Sequence, residues 1–173
     1  KDIRTGNAVI LGILIGGFFG VLIVTGLLIW DESPVLPERF TYRYGIPAIG
    51  YIGKRTVEPS RECLTNLAYL FPKKDENICL VLGERSWGEK NLEKFPKEYF
   101  SQVITREELN EENYEKLRGA AGILLVVSAQ GCKGNVIQHV LHELKVQDCI
   151  CKGALLADAD SRLIQLYRFG RKG

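Results

Sequence analysis

AGILLVVSAQGCKGNVIQHVLHELK, residues 121–145, changes its hydrophobic period midway, and that change decides the fold. The first seven residues form an uninterrupted apolar run bounded by turn residues, the pattern of a strand buried on both faces. From residue 135 the apolar positions become Val136, Ile137, Val140, Leu141 and Leu144, one face of a helix at 135–145. CICKGALLA (149–157) then returns to a strand pattern. A buried strand, an amphipathic helix and a second buried strand make a parallel α/β unit.

The same alternation extends outward. ICLVL (78–82) reads as another buried strand, closed by Gly83. Residues 105–118 open with Thr105 and Glu108 at capping-box spacing and stop at Gly119, which predicts a helix. SRECLTNLAYLF (60–71) places Leu64, Leu67, Ala68 and Phe71 on one helical stripe, ended by Pro72. SRLIQLYRFG at the C-terminus suits one short last helix. Residues 31–57 contain Pro34, Pro37 and Pro47 and read as an extended connector.

Ahead of the connector lies AVILGILIGGFFGVLIVTGLLIW (8–30), uncharged throughout. An apolar run of 18 or more residues reads as a membrane-spanning helix, and these residues would reach about 34 Å against a hydrocarbon core of roughly 30 Å. A signal peptide has a shorter apolar core ending at a small-residue cleavage site, whereas this run closes on Trp30-Asp31-Glu32. Gly12, Gly16 and Gly20, with Gly17 beside them, recur every four residues. Small residues at that spacing let helices approach closely, so the expected partner is a second copy of the span in a homo-oligomer, or else another span. The chain starts at Lys1 and has no methionine, so a processed protein or a fragment is expected. The predicted organisation is a flank at 1–7, a span at 8–30, a connector at 31–57 and an α/β domain at 58–173.

Charge and cysteines narrow the function. Twenty-three basic residues face 21 acidic ones, a net charge of +2. Lys54-Arg55, Lys73-Lys74 and Arg168 to Lys172 are small clusters, not the concentrated basic face that nucleic acid demands. Cys63, Cys79, Cys132, Cys149 and Cys151 are odd in number and scattered through apparent helices and strands. They read as free buried thiols, which places the domain in the reducing cytoplasm. Cys149 and Cys151 share a strand face but lack the further ligands a zinc site needs. His139 and His142 stand three apart beside Glu143, whereas zinc peptidases space two histidines four apart around a glutamate. Asp158 and Asp160 read as a solvated acidic turn, and Ser86 and Ser128 lack nucleophile context. No metal, cofactor or catalytic residue is expected.

The order of these segments carries a resemblance. A glycine-rich span, an acidic start and GIPAIGYI (45–52) resemble the exit from the last span of the bacterial chain-length determinants, the Wzz-type polysaccharide co-polymerases, with Pro47 and Gly50 in their Pro-x-x-Gly connector motif. Glu62-Cys63-Leu64-Thr65-Asn66-Leu67 resembles the helix before the first strand of bacterial tyrosine kinases, which are fused to or paired with co-polymerases. The stretches at 120–145 and 149–157 are similar to later strands of that kinase fold. The resemblance implies a single span followed by a small, reduced Rossmann-like, P-loop-like domain with a mostly parallel sheet. It also implies a place in capsule, O-antigen or exopolysaccharide assembly, with a tyrosine kinase or a polysaccharide polymerase as partner.

The phosphate loop departs from that pattern. Gly83-Glu84-Arg85-Ser86-Trp87-Gly88-Glu89-Lys90-Asn91 keeps two glycines and a lysine, and Gly83, Gly88 and Lys90 are the candidates for nucleotide binding. Glu89 separates Gly88 from Lys90, and Asn91 stands where a magnesium-binding hydroxyl belongs. Glu84 and Glu89 bring negative charge to a cradle that must attract anions. The residue before Gly122 is Ala121, not aspartate, and the tyrosine-rich tail is reduced to Tyr167, read as a packed or exposed lone tyrosine, with a phosphorylation site as the alternative. The expectation is a non-catalytic relic of the kinase fold. The alternatives are a divergent nucleotide-binding or kinase subunit using Lys90, or a membrane-anchored adaptor unrelated to polysaccharide.

Overall fold

A computed structural model describes residues 2–30, 36–54, 59–82, 97–129 and 131–170. The chain divides into two units, Lys1–Glu32 and Ser33–Gly173. The first is one helix, α1 (Asp2–Trp30). Residues 9–26 are exposed along its whole circumference and apolar, and among the described residues α1 is the one helix long and apolar enough to cross a membrane. A helix apolar on every side needs an apolar surrounding. Gly12, Gly16 and Gly20 have open space where a Cβ would stand, so they leave a shallow groove along one face.

The second unit is built on five parallel strands: β1 (Ala48–Gly53), β2 (Asn77–Leu82), β3 (Gln102–Thr105), β4 (Gly122–Ser128) and β5 (Cys151–Ala159). Their order is β1-β5-β4-β2-β3. Five helices cover them: α2 (Pro37–Tyr44), α3 (Arg61–Leu70), α4 (Glu111–Gly119), α5 (Gly134–Val146) and α6 (Ser161–Gly170). Every residue of β2 and β4 is buried, as strands covered on both faces require.

The pleat divides the core in two. Ile78, Leu80, Leu82, Ile123, Leu125 and Val127 face one layer, packed with Phe40 of α2, Leu117 of α4 and Ile137, Val140 and Leu144 of α5. Cys79, Val81, Leu124, Val126 and Leu155 face the other, against Cys63 and Leu67 of α3 and Phe71. The passage from β4 through α5 to β5 runs across the sheet in one direction, and that from β1 through α3 to β2 in the other. Right-handed crossovers then place α5 and α3 on opposite faces. The fold is α/β, a parallel sheet behind a single apolar helix.

The structure corrects three expectations. The described part of 31–57, residues 36–54, is not an extended connector, because α2 and β1 lie within it and β1 pairs with β5, from Ala48 opposite Ala154 to Gly53 opposite Ala159. The domain therefore includes this segment and does not start at 58. Pro37 sits at the first turn of α2, where its fixed φ and missing N–H suit a helix start, and Gly45 ends α2 at φ +70°. These residues punctuate elements where they had suggested extended chain.

The stripe of α3 is Cys63, Leu67 and Phe71, while Leu64 and Ala68 are exposed. Residues 105–118 are not one helix. Thr105 ends β3, its N–H donating to the Glu108 carboxylate at 2.9 Å, and a short turn at Arg106–Glu108 follows. Then α4 starts anew from Asn110, whose Oδ1 accepts from the Asn113 N–H at 2.9 Å.

Candidate functional site

From β2 the chain moves to β3 on one side and then to β4 on the other, so strand order reverses between β2 and β4. In open α/β sheets such a reversal leaves a crevice at the carboxyl ends of the strands, where ligands bind. Here the crevice is bounded by Leu82 at the end of β2, Thr105-Arg106 at the end of β3 and the β4–α5 turn. Gly83, Gly88 and Lys90 follow directly on β2 but lie outside the described residues, with Ser86, Glu89 and Asn91.

The β4–α5 turn is tightly determined. Ser128 is buried, and its Oγ accepts from the Gly131 N–H at 3.0 Å. The Ala129 N–H donates to the Ala157 carbonyl at 2.8 Å, tying the turn to β5. Ser128 is thereby a turn-forming residue. Lys133 precedes the first turn of α5 and is exposed, with its carbonyl accepting from Val136 and Ile137. Cys132 is buried next to it; burial raises the thiol and the nearby Arg106 charge opposes that rise. Arg106, directly after β3, and Lys133, directly before α5, thus stand at the carboxyl ends of the strands on either side of β2. Strand β3 had escaped sequence reading because only Ile104 and Thr105 of its four residues are buried.

At the end of β5, Asp158 adopts φ +55°. Asp160 caps α6, its Oδ1 accepting from the Arg162 N–H at 2.9 Å and its carbonyl from Ile164 at 3.1 Å. The Asp158–Asp160 turn, expected to be solvated, is half-buried and shapes the backbone.

Pro47 and Gly50 both act at the edge strand. The Pro47 carbonyl accepts from the Ala154 N–H at 2.9 Å, which starts the pairing of β1 with β5. A Cβ on Gly50 would stand 2.8 Å from the Cys63 Cβ and 3.3 Å from its Cα. The side chain of Asn66 donates to the Ile49 carbonyl at 3.0 Å from the same helix. Thr41, Gly50, Ser60, Glu62 and Asn66 line a cavity of about 200 Å³ between α2, β1 and α3. That is below the usual range for organic ligands, roughly 300–1,000 Å³.

All five cysteines are free. Burial pushes Cys63, Cys79 and Cys151 up to about 12 and raises Cys149 as well, so none is a ready thiolate nucleophile. Among the described residues no group of three or more metal-ligating side chains converges, Cys149 and Cys151 included. His139 and His142 are exposed on α5, where His139 Nε2 lies 3.2 Å from Glu143 Oε1. The side chain of Tyr167 lies outside the described residues.

The raised thiols give stability a direction with pH. The folded chain keeps protons that the unfolded chain, with thiols near 9.0, releases. Stability is fully present below the unfolded value and is lost as pH rises toward 12. Urea midpoints are expected to be level from about pH 7 to 8.5 and to fall between about pH 9 and 11, less steeply in Cys79→Ala. Identical slopes in the two proteins would remove the thiol as the cause.

Compared with known protein families, curated proteins and solved structures, the chain matches no family, no curated protein and no solved structure.

Proposed function

We propose that this chain is a non-catalytic membrane scaffold of bacterial surface-polysaccharide assembly, similar in role to a chain-length determinant, with its α/β domain in the cytoplasm. One observation carries the non-catalytic part. The strands flanking β2 end in Thr105 and Ser128, not in the aspartate that a phosphate-loop enzyme turns to magnesium, and the Glu108 carboxylate beside the end of β3 accepts from the Thr105 N–H. The polysaccharide part is supported by the resemblance of the span, the Pro47–Gly50 segment and the 62–67 helix. The scaffold acts by geometry: the groove at Gly12, Gly16 and Gly20 suits packing of copies through the span. The domain would meet a tyrosine kinase or a polymerase by its surface.

A second reading has one observation in its favour. The 83–91 segment departs from β2 at the crevice where parallel α/β sheets hold phosphates, with Arg106 and Lys133 nearby. In that case Gly83, Gly88 and Lys90 would serve a nucleotide-binding or kinase subunit. A membrane-anchored adaptor outside polysaccharide assembly is the third. Loss of the gene is expected to change the length distribution of a surface glycan on gels, and Lys90→Ala is expected to restore the wild-type ladder. A ladder unchanged by the deletion would favour the adaptor, and a ladder restored only by Lys90 would favour the nucleotide-binding subunit.

A further inference from the structure

We propose that the domain docks on a second copy of itself head to tail, the exposed side of α2 in one copy meeting the carboxylates of residues 107–115 in the next. The contact takes nothing from α1.

The two surfaces stand at opposite edges of the sheet. α2 packs on β1, with the Ala48 N–H donating to Thr41 Oγ1 at 2.9 Å, and β1 is one end of the strand order. Residues 106–115 follow β3, the other end. Strands about 4.8 Å apart put these edges about 19 Å from each other, far beyond the reach of an ion pair. Neither surface can therefore satisfy the other within one chain.

Their chemistry is complementary. On α2, Phe40 is spent on the core, while Arg39, Tyr42 and Arg43, three and four residues apart, share an exposed side. Tyr42 is 95% exposed, and the Arg43 guanidinium lies 5.7 Å from the centre of the Tyr44 ring. Tyrosine and arginine are the side chains that most often anchor protein contacts. Residues 106–115 contain five glutamates and one arginine. Glu108 accepts from the Thr105 N–H and Glu112 is matched by Lys116 at 2.6 Å. Glu107, Glu111 and Glu115 are exposed and, like Arg39, hold no ion pair among the described residues. Glu111 and Glu115, four apart, share one face of α4. Arginine forks onto such carboxylates, and opposite charge across a contact fixes its register. Every copy brings both halves, and a net charge of +2 leaves little repulsion between copies. A contact between two different patches is heterologous, so it continues from copy to copy instead of closing at a pair.

The test is sedimentation of the full chain in detergent, at low salt and at about 0.5 M salt. Two variants each reverse one surface: Arg39→Glu with Arg43→Glu, and Glu107→Arg with Glu111→Arg and Glu115→Arg. All five side chains are exposed, so the circular dichroism of both variants is expected to match the wild type. At low salt the wild type is expected to associate beyond its high-salt state, and each variant to associate about tenfold more weakly or less. Mixing the two variants is expected to restore association, because each then supplies the sign that the other lacks. Wild-type sedimentation indifferent to salt overturns the proposal, as do variants that associate like the wild type; any assembly then belongs to a contact elsewhere. A loss in only one variant, or a loss that mixing does not repair, also overturns it, because the two surfaces are then not partners of each other.

Discussion

Leu125→Ala is expected to lower the melting temperature of the domain by about 10 °C. Leu125 lies in the middle of β4, is fully buried, and pairs with Leu80 of β2 on one side and Ala154 of β5 on the other. Its side chain belongs to the layer that joins the sheet to α2, α4 and α5, so truncation opens a cavity surrounded by residues fixed in three elements. Such substitutions cost about 2–5 kcal/mol, which for a domain of this size corresponds to roughly 10 °C. Exposed Leu166 offers the contrast, because its truncation removes no core contact and is expected to leave the melting temperature within about 1–2 °C. Circular dichroism on the full chain in detergent reads both. Equal shifts for the two variants would mean that β4 is not the centre of the core.

Gly50→Ala is expected to cost about 1–3 kcal/mol, a large effect for one methyl group. The new Cβ would stand 2.8 Å from the Cys63 Cβ, closer than real Cβ atoms approach, and 3.1 Å from its Sγ, a tight contact. No flexible side-chain end can give way, so α3 must lift from β1. That movement strains the Asn66 bond to the Ile49 carbonyl and the burial of Leu67 and Phe71. Cys63→Gly removes the opposing Cβ. In the double variant the loss is expected to be smaller than the sum of the two single losses, by 0.5 kcal/mol or more on the scale of about 0.5–3 kcal/mol seen for residues in contact. Strict additivity would place the strain elsewhere.

The parts of this fold that were legible in the sequence are those whose burial pattern is complete. β4, α5 and β5 are an unbroken apolar run, a helical stripe and a second run, and each element falls within two residues of its expected bounds. β1 was illegible because two of its six residues are glycine and Pro47 precedes it, and these residues signal turns when read locally. Only the approach of Cys63 explains why Gly50 stands in a strand. β3 contributes two buried residues of four, too few to set a period. The shift in α3 from Leu64 to Cys63 has the same origin: the space left by Gly50 selects which face of the helix goes inward.

The candidate site was legible in a different sense. Its glycines and lysine are visible as a spacing at 83–91, but that β2, the strand before them, ends where strand order reverses depends on the topology, which no local pattern encodes. Arg106 and Lys133 come to the strand ends on either side of β2 for the same reason. Ser128 looked like a residue without context. Its context is the Gly131 N–H it holds, a turn contact that sequence spacing does not single out.

The central claim is that this domain supports a membrane scaffold without nucleotide chemistry. Calorimetric titration of Mg-ATP into the full chain in detergent, beside Lys90→Ala, tests it most directly. The account predicts no saturable heat in either protein. Saturable binding in the wild-type chain that is lost in Lys90→Ala would contradict it and make the crevice between β2 and β4 a nucleotide site.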